Sequence, residues 1–100
     1  MASYSVAKAA NKTLSTTTVD DVTVTRKFGK VAVTNRDPTN ALWVTVGTVA
    51  APPAAPVANA DDIDVIMPNQ TAVLTVPNPG QSQPMVKVLG SGGGYSVAGR

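Results

Sequence analysis

Seven short runs in which large apolar residues alternate with polar or smaller ones constrain this chain more than any other feature. The clearest are Val22-Thr23-Val24-Thr25, Lys30-Val31-Ala32-Val33-Thr34, Leu42-Trp43-Val44-Thr45-Val46 and Met85-Val86-Lys87-Val88-Leu89. Ile63–Met67, Thr71–Val76 and Gly94–Ala98 complete the set. A period of two puts every second side chain on one face, the pattern of a strand with one buried side. Val and Thr suit that pleated surface because their branched side chains pack across neighbouring strands. No helical period occurs anywhere, and turn residues separate the runs at short intervals. The expected fold is all-β: a single antiparallel β-sandwich, Ig-like or jelly-roll-like, of about seven strands.

A chain of 100 residues carries one such core and not two. Its apolar mass is Val and Ala, and aromatic residues make up only 4%. Small side chains fill a thin core but bury less area per residue than Leu or Phe. Modest monomer stability, helped by association with other copies, is the expectation.

Residues 1–12 read as a flexible, extended N-terminal arm, and residues 13–100 as the sandwich. From Thr13 to Val19 the Thr-rich run favours extended backbone, and Asp20-Asp21 interrupts it. Arg26-Lys27-Phe28-Gly29 reverses the chain, and Asn35-Arg36-Asp37-Pro38-Thr39-Asn40 is a dense turn cluster. A long Pro/Ala loop at 47–62 carries Ala50-Ala51-Pro52-Pro53-Ala54-Ala55-Pro56, whose prolines cannot donate ladder hydrogen bonds. A connection of this length is either functional or a crossover between sheets, and the crossover is the reading preferred. Leu89-Gly90-Ser91-Gly92-Gly93-Gly94 reads as a flexible hairpin rather than a phosphate loop, for it ends without Lys-Ser or Lys-Thr and without a helix.

Chemistry is scarce. The chain has no His and no Cys, so triad catalysis, thiolate metal sites and disulfides are all excluded. Asp61-Asp62-Ile63-Asp64 is the one carboxylate cluster. It lacks the ligand number and the Gly-bearing loop of a calcium site, and reads as a solvated strand start with Asp62 and Asp64 on one face. No catalytic residue, metal ligand or cofactor site is expected, and the chain is not read as an enzyme. The N-terminus holds no continuous apolar segment of a signal peptide and no stretch reaches membrane-spanning length, so synthesis and solubility in a cytoplasm are expected.

Charge is uneven. Lys8, Lys12, Arg26, Lys27, Lys30 and Arg36 crowd the first third, and no basic residue lies between Pro38 and Val86. One end or face can then be positive and another negative, although Arg26, Lys27 and Lys30 also fit a solvated turn. Phe28 among these cations is the one hint of nucleic-acid binding, and it is weak. Trp43 faces outward if Leu42, Val44 and Val46 face the core. Three inward apolar residues outweigh one, but a one-residue slip would make Trp43 the central core aromatic.

The runs Val22–Thr25, Val31-Ala32-Val33-Thr34-Asn35-Arg36-Asp37, Ala41–Thr48, Ile66-Met67-Pro68 and Val86–Gly92 with Tyr95-Ser96-Val97 resemble small virion proteins of tailed bacteriophages. The resemblance spans about Thr13 to Val97, and its most recognisable piece is the Asn35-Arg36-Asp37 turn followed by a strand ending in Gly47-Thr48. The Pro/Ala insertion departs from such compact modules. The resemblance implies a head decoration or cement protein on the capsid surface of the virion, made in the host cytoplasm. Its partners would be the major capsid protein and copies of itself in a homotrimer, with no nucleic acid, membrane or small-molecule substrate. Tyr4, Lys8 and Lys12 of the arm, and Trp43, are the candidate interface residues. A tail, connector or head-fibre component is the alternative, and a receptor- or carbohydrate-binding sandwich a second one.

Overall fold

The computed structural model describes residues 3–6, 9–13, 19–58, 63–77, 82–90 and 93–100. Nine strands lie among the described residues: β1 (Ser3–Val6), β2 (Ala9–Thr13), β3 (Asp20–Val24), β4 (Lys30–Asn35), β5 (Leu42–Thr48), β6 (Asp64–Ile66), β7 (Thr71–Thr75), β8 (Pro84–Leu89) and β9 (Gly94–Gly99). The seven alternating runs correspond to β3 to β9, and in all of them except β6 the register turns the apolar side inward.

The strands form two sheets, in the orders β1-β3-β8-β5-β6 and β2-β9-β4-β7. All pairs are antiparallel except β1 with β3, which is parallel. With β1 set aside, the orders β3-β8-β5-β6 and β2-β9-β4-β7 are the connectivity of an eight-stranded jelly roll. The chain changes sheet at nearly every connection; β5 and β6 are the one sequence-consecutive pair of strands that are also neighbours.

The core sits between the sheets. Val22, Val24, Leu42, Val44, Ile66, Val86 and Val88 come from one inner face, and Val31, Val33, Tyr95 and Val97 from the other, all buried. Val76, just beyond β7, is buried with them, while Phe28, Val46, Ala72 and Leu74 pack against the cluster from its margins. Each fully buried Val contributes on the order of 1.5–3 kcal/mol of transfer free energy, so this thin layer depends on nearly every member. Phe28 closes one end. A Cβ on Gly99 would overlap its ring, so the ring lies directly on the β9 backbone and only glycine allows that approach.

Three connections differ from expectation. The arm over residues 1–12 is paired at 3–6 and 9–13, where β1 lines the edge of β3 and β2 lines the edge of β9. Extended backbone beside an open sheet edge satisfies its own N–H and C=O groups there, which a free arm leaves to water. The Pro/Ala loop is not a crossover, because it joins β5 to its neighbour β6 in the same sheet. The Gly-rich segment is not a hairpin, because β8 and β9 lie in opposite sheets. Short turns cross between sheets, and the longest connection joins adjacent strands. The Thr-rich stretch at 14–18 lies outside the described residues, and Asp20-Asp21 begins a strand instead of interrupting one.

Candidate interaction surface

The alternation of β5 buries Leu42 and Val44 and turns Trp43 to the outer face of its sheet, where it is half-buried. Trp43 stands directly opposite Leu89 on β8 and Val65 on β6. Residues directly opposite in a ladder share a face, so Leu89, Trp43 and Val65 form one apolar row across three strands. Val65 is 52% exposed, and Met67 just beyond β6 is 57% exposed. The neighbouring row is polar: Thr45 is opposite Lys87, and Lys87 opposite Asp21, with Lys87 Nζ 4.0 Å from an Asp21 carboxylate oxygen.

The Pro/Ala loop limits this face on one side. Thr48 N–H donates to Ala51 O at 3.2 Å, and Ala51 N–H donates to Thr48 Oγ1 at 3.1 Å. The Thr45 hydroxyl then donates to Ala54 O at 2.6 Å, drawing the loop back over β5. A Cβ on Gly47 would come within 2.7 Å of Pro53, so only glycine lets the strap lie this close. The strap covers Thr45 and Gly47, whereas the described part of the loop stops short of the Trp43 row, two residues along.

At the start of β5 the turn cluster is a structural corner. The Asn35 amide donates to Asn40 O at 2.8 Å and to Ile66 O at 2.9 Å, and its Oδ1 accepts from Asp37 N–H at 3.0 Å. Asp37 Oδ1 accepts from the N–H groups of Thr39 and Asn40 and from the Thr39 hydroxyl, while Oδ2 accepts from the Asn40 amide. Hydrogen bonding to the Thr39 and Asn40 backbone holds the Asp37 carboxyl below its ordinary value. The adjoining shallow recess, lined by Asn35, Asp37, Ala41, Leu42, Gly90, Gly93 and Gly94, has no room for a water molecule. The polar atoms here serve one another, so the corner fixes the chain path and offers no ligand chemistry.

Asp20 went unnoticed in the sequence as a special residue. It lies two and four positions before Val22 and Val24, so the strand period carries it to the inner face, fully buried. Tyr95 donates its hydroxyl hydrogen to Asp20 Oδ2 at 2.9 Å. Burial pushes the Asp20 carboxyl above its ordinary value, and the Tyr95 hydrogen bond opposes the shift. The period-two offset from Val22 was the signal that would have found it.

The remaining expected residues are spread out. Tyr4 pairs with Val22 and Lys12 with Tyr95 in register. Lys8, Asp61 and Asp62 lie outside the described residues. Asp64 is opposite Val44 and shares its face with Ile66, which is buried. The face expected to be solvated therefore carries a core residue, because the pairing of Leu42 with Ile66 sets the register and sends Val65 outward. Among the described residues no three Asp, Glu, His or Cys side chains gather as a metal site.

No protein-family model matches the chain, and no curated protein sequence matches it. Among solved structures it is similar to PliG of Aeromonas hydrophila, a periplasmic inhibitor of g-type lysozyme. The TM-score is 0.52 at 12% identity, over 99% of this chain and 98% of that one. It is also similar to the Anabaena sensory rhodopsin transducer, with a TM-score of 0.45 at 10% identity over 95% and 96% of the two chains. The likeness to PliG is one of fold alone.

Proposed function

We propose that this chain is a structural protein of a tailed-bacteriophage virion, a decoration or cement protein that binds the outer head shell and stabilises it by bridging capsomers. The observation that carries the reading is the Leu89–Trp43–Val65 row, half-buried at Leu89 and Trp43 and exposed at Val65, on an outer sheet face that no described strand covers. Aromatic residues at the centre of an apolar patch are the usual anchors of protein–protein contacts. In this reading the row meets neighbouring copies in a homotrimer, and the trimer sits on the major capsid protein. Many modest contacts, repeated over a lattice, then oppose opening of the shell. The jelly roll suits the task, since this architecture recurs in viral shells, although it also serves lectins. The chain works by binding, with no catalytic step, cofactor or small-molecule substrate.

The test is the copy number of the chain in purified particles, relative to the major capsid protein, by quantitative mass spectrometry. A ratio near that of the shell protein is expected. A few copies per particle would move the chain to the tail, connector or head fibre, and its absence from particles would end the virion reading.

A further inference from the structure

The fold gathers positive charge at one end of the sandwich. Arg26 and Lys27 lie in the turn between β3 and β4, and Lys30 opens β4. Arg100, just past β9, joins them through two main-chain hydrogen bonds, Lys30 N–H to Arg100 O at 3.1 Å and Arg100 N–H to Lys30 O at 2.8 Å. All four side chains are exposed, and among the described residues none makes an ion pair.

The described carboxylates lie elsewhere. Asp20 and Asp21 begin β3 and Asp37 follows β4, which puts all three at the opposite end of the strands. Asp64 is on the edge strand β6. Six residues of β4, at about 3.3 Å each, separate the two ends by roughly 20 Å. That exceeds the Debye length of about 8 Å at physiological salt, so the acidic end does not screen the basic one. Nor does it offer a docking partner, for Asp20 is buried, Asp21 is beside Lys87, and Asp37 is held in its own turn.

Like charges held together weaken a fold, and among the described residues no side-chain carboxylate pairs with these four cations. Their mount is firm. Phe28 is packed on Gly99 and the core, and Val76 N–H donates to Gly29 O at 3.0 Å. A pre-set cluster loses little freedom on docking. The same packing argues against single-stranded nucleic acid as the partner. Phe28 is the one aromatic residue among these cations, and with its ring against Gly99 it gives no platform for stacking bases.

We infer that this basic end, formed by Arg26, Lys27, Lys30 and Arg100, docks on a carboxylate-lined protein surface. The inference deepens the shell-binding reading, on which it rests for the identity of that surface: the basic end faces the shell, and the Trp43 row faces neighbouring copies.

The test compares the wild-type protein with R26E/K27E, whose fold is checked by circular dichroism, and with K30Q should that variant fail to fold. Binding is measured to shells freed of this protein, to poly-L-glutamate, and to a duplex DNA of about 30 base pairs, at several salt concentrations. The expected result is wild-type binding to shells and polyglutamate that weakens with salt, at least ten-fold loss in R26E/K27E, and a shallower salt dependence of what remains. Equal binding of wild type and variant to polyglutamate would overturn the basic end as a docking surface. Tighter wild-type binding to duplex DNA than to polyglutamate would overturn it in favour of a nucleic acid. If charge reversal abolishes polyglutamate binding while the wild type ignores shells, the acidic-surface inference stands and the shell reading falls.

Discussion

The Tyr95 hydroxyl donates a 2.9 Å hydrogen bond to Asp20 Oδ2 across the two sheets, joining residues 75 positions apart. Both side chains are fully buried, and among the described residues Asp20 Oδ1 has no partner. A charged carboxylate in such a place is costly unless it is protonated or fully hydrogen-bonded.

Stability should therefore carry an Asp20 signature in pH. Burial raises the Asp20 carboxyl above its unfolded value of 3.8, so the folded state holds the proton more tightly. Its contribution is fully present below about pH 3.8 and is lost as pH rises through the folded value. Asp20→Asn keeps an acceptor for Tyr95 and removes the charge. Thermal unfolding between pH 4 and 8 should show a smaller acid-to-neutral loss in the variant, and a higher melting temperature than wild type at pH 7. Parallel curves would refute the assignment. Asp37 acts in the other direction. Its lowered carboxyl stabilises the fold above pH 3.8, and that contribution is lost as pH falls through the folded value. Asp37→Asn should lower the melting temperature at pH 7.

Tyr95→Phe removes the donor and leaves the buried Asp20 carboxylate without its hydrogen bond. A cost of about 1–3 kcal/mol at neutral pH is expected. In the Asp20→Asn background the same substitution should cost less, since a neutral amide is easier to leave unpaired than a charge. A double-mutant cycle by urea unfolding reads the coupling. Strict additivity would show that the two residues act independently.

Trp43 lies half-buried on an outer face, so Trp43→Ala should change monomer stability little and association strongly. Sedimentation of the folded variant should show loss of the oligomer. Trp43 is the single tryptophan of the chain, and its emission should shift to shorter wavelength as wild-type copies associate. A variant that unfolds while its folded fraction still assembles would contradict the role given to this row.

Gly47→Val places a side chain where Pro53 lies on β5. Either the strap lifts or the strand shifts, at about 1–3 kcal/mol, the usual cost of overpacking. Limited proteolysis should then cut between Val49 and Val57 faster than in wild type. Unchanged cleavage and melting temperature would show that the strap does not depend on this contact.

Much of the candidate surface was legible because it follows from alternation. Leu42, Val44 and Val46 pointing one way oblige Trp43 and Thr45 to point the other, and the fold keeps that arrangement. What Trp43 stands beside was not legible. Leu89 is 46 positions away, and Val65 lies beyond a long connection whose length argued for a change of sheet. The basic end was half legible. Arg26, Lys27 and Lys30 are close in sequence, but Arg100 reaches them only because β9 pairs with β4.

The sequence by itself determined the seven core strands, the inward faces of all but β6, and the turn at Asn35–Asn40, because side-chain alternation and turn chemistry are local properties of the backbone. Only the tertiary structure decided which strands pair. It chose the jelly roll over the Ig-like order, placed residues 3–6 and 9–13 on sheet edges, and laid the Pro/Ala strap along a face instead of between sheets. It also put Asp20 against Tyr95. Any alternating strand can hydrogen-bond to any other with nearly the same backbone geometry. The choice among partners therefore rests on how all the inner faces fill one core at once, which no local run of residues encodes.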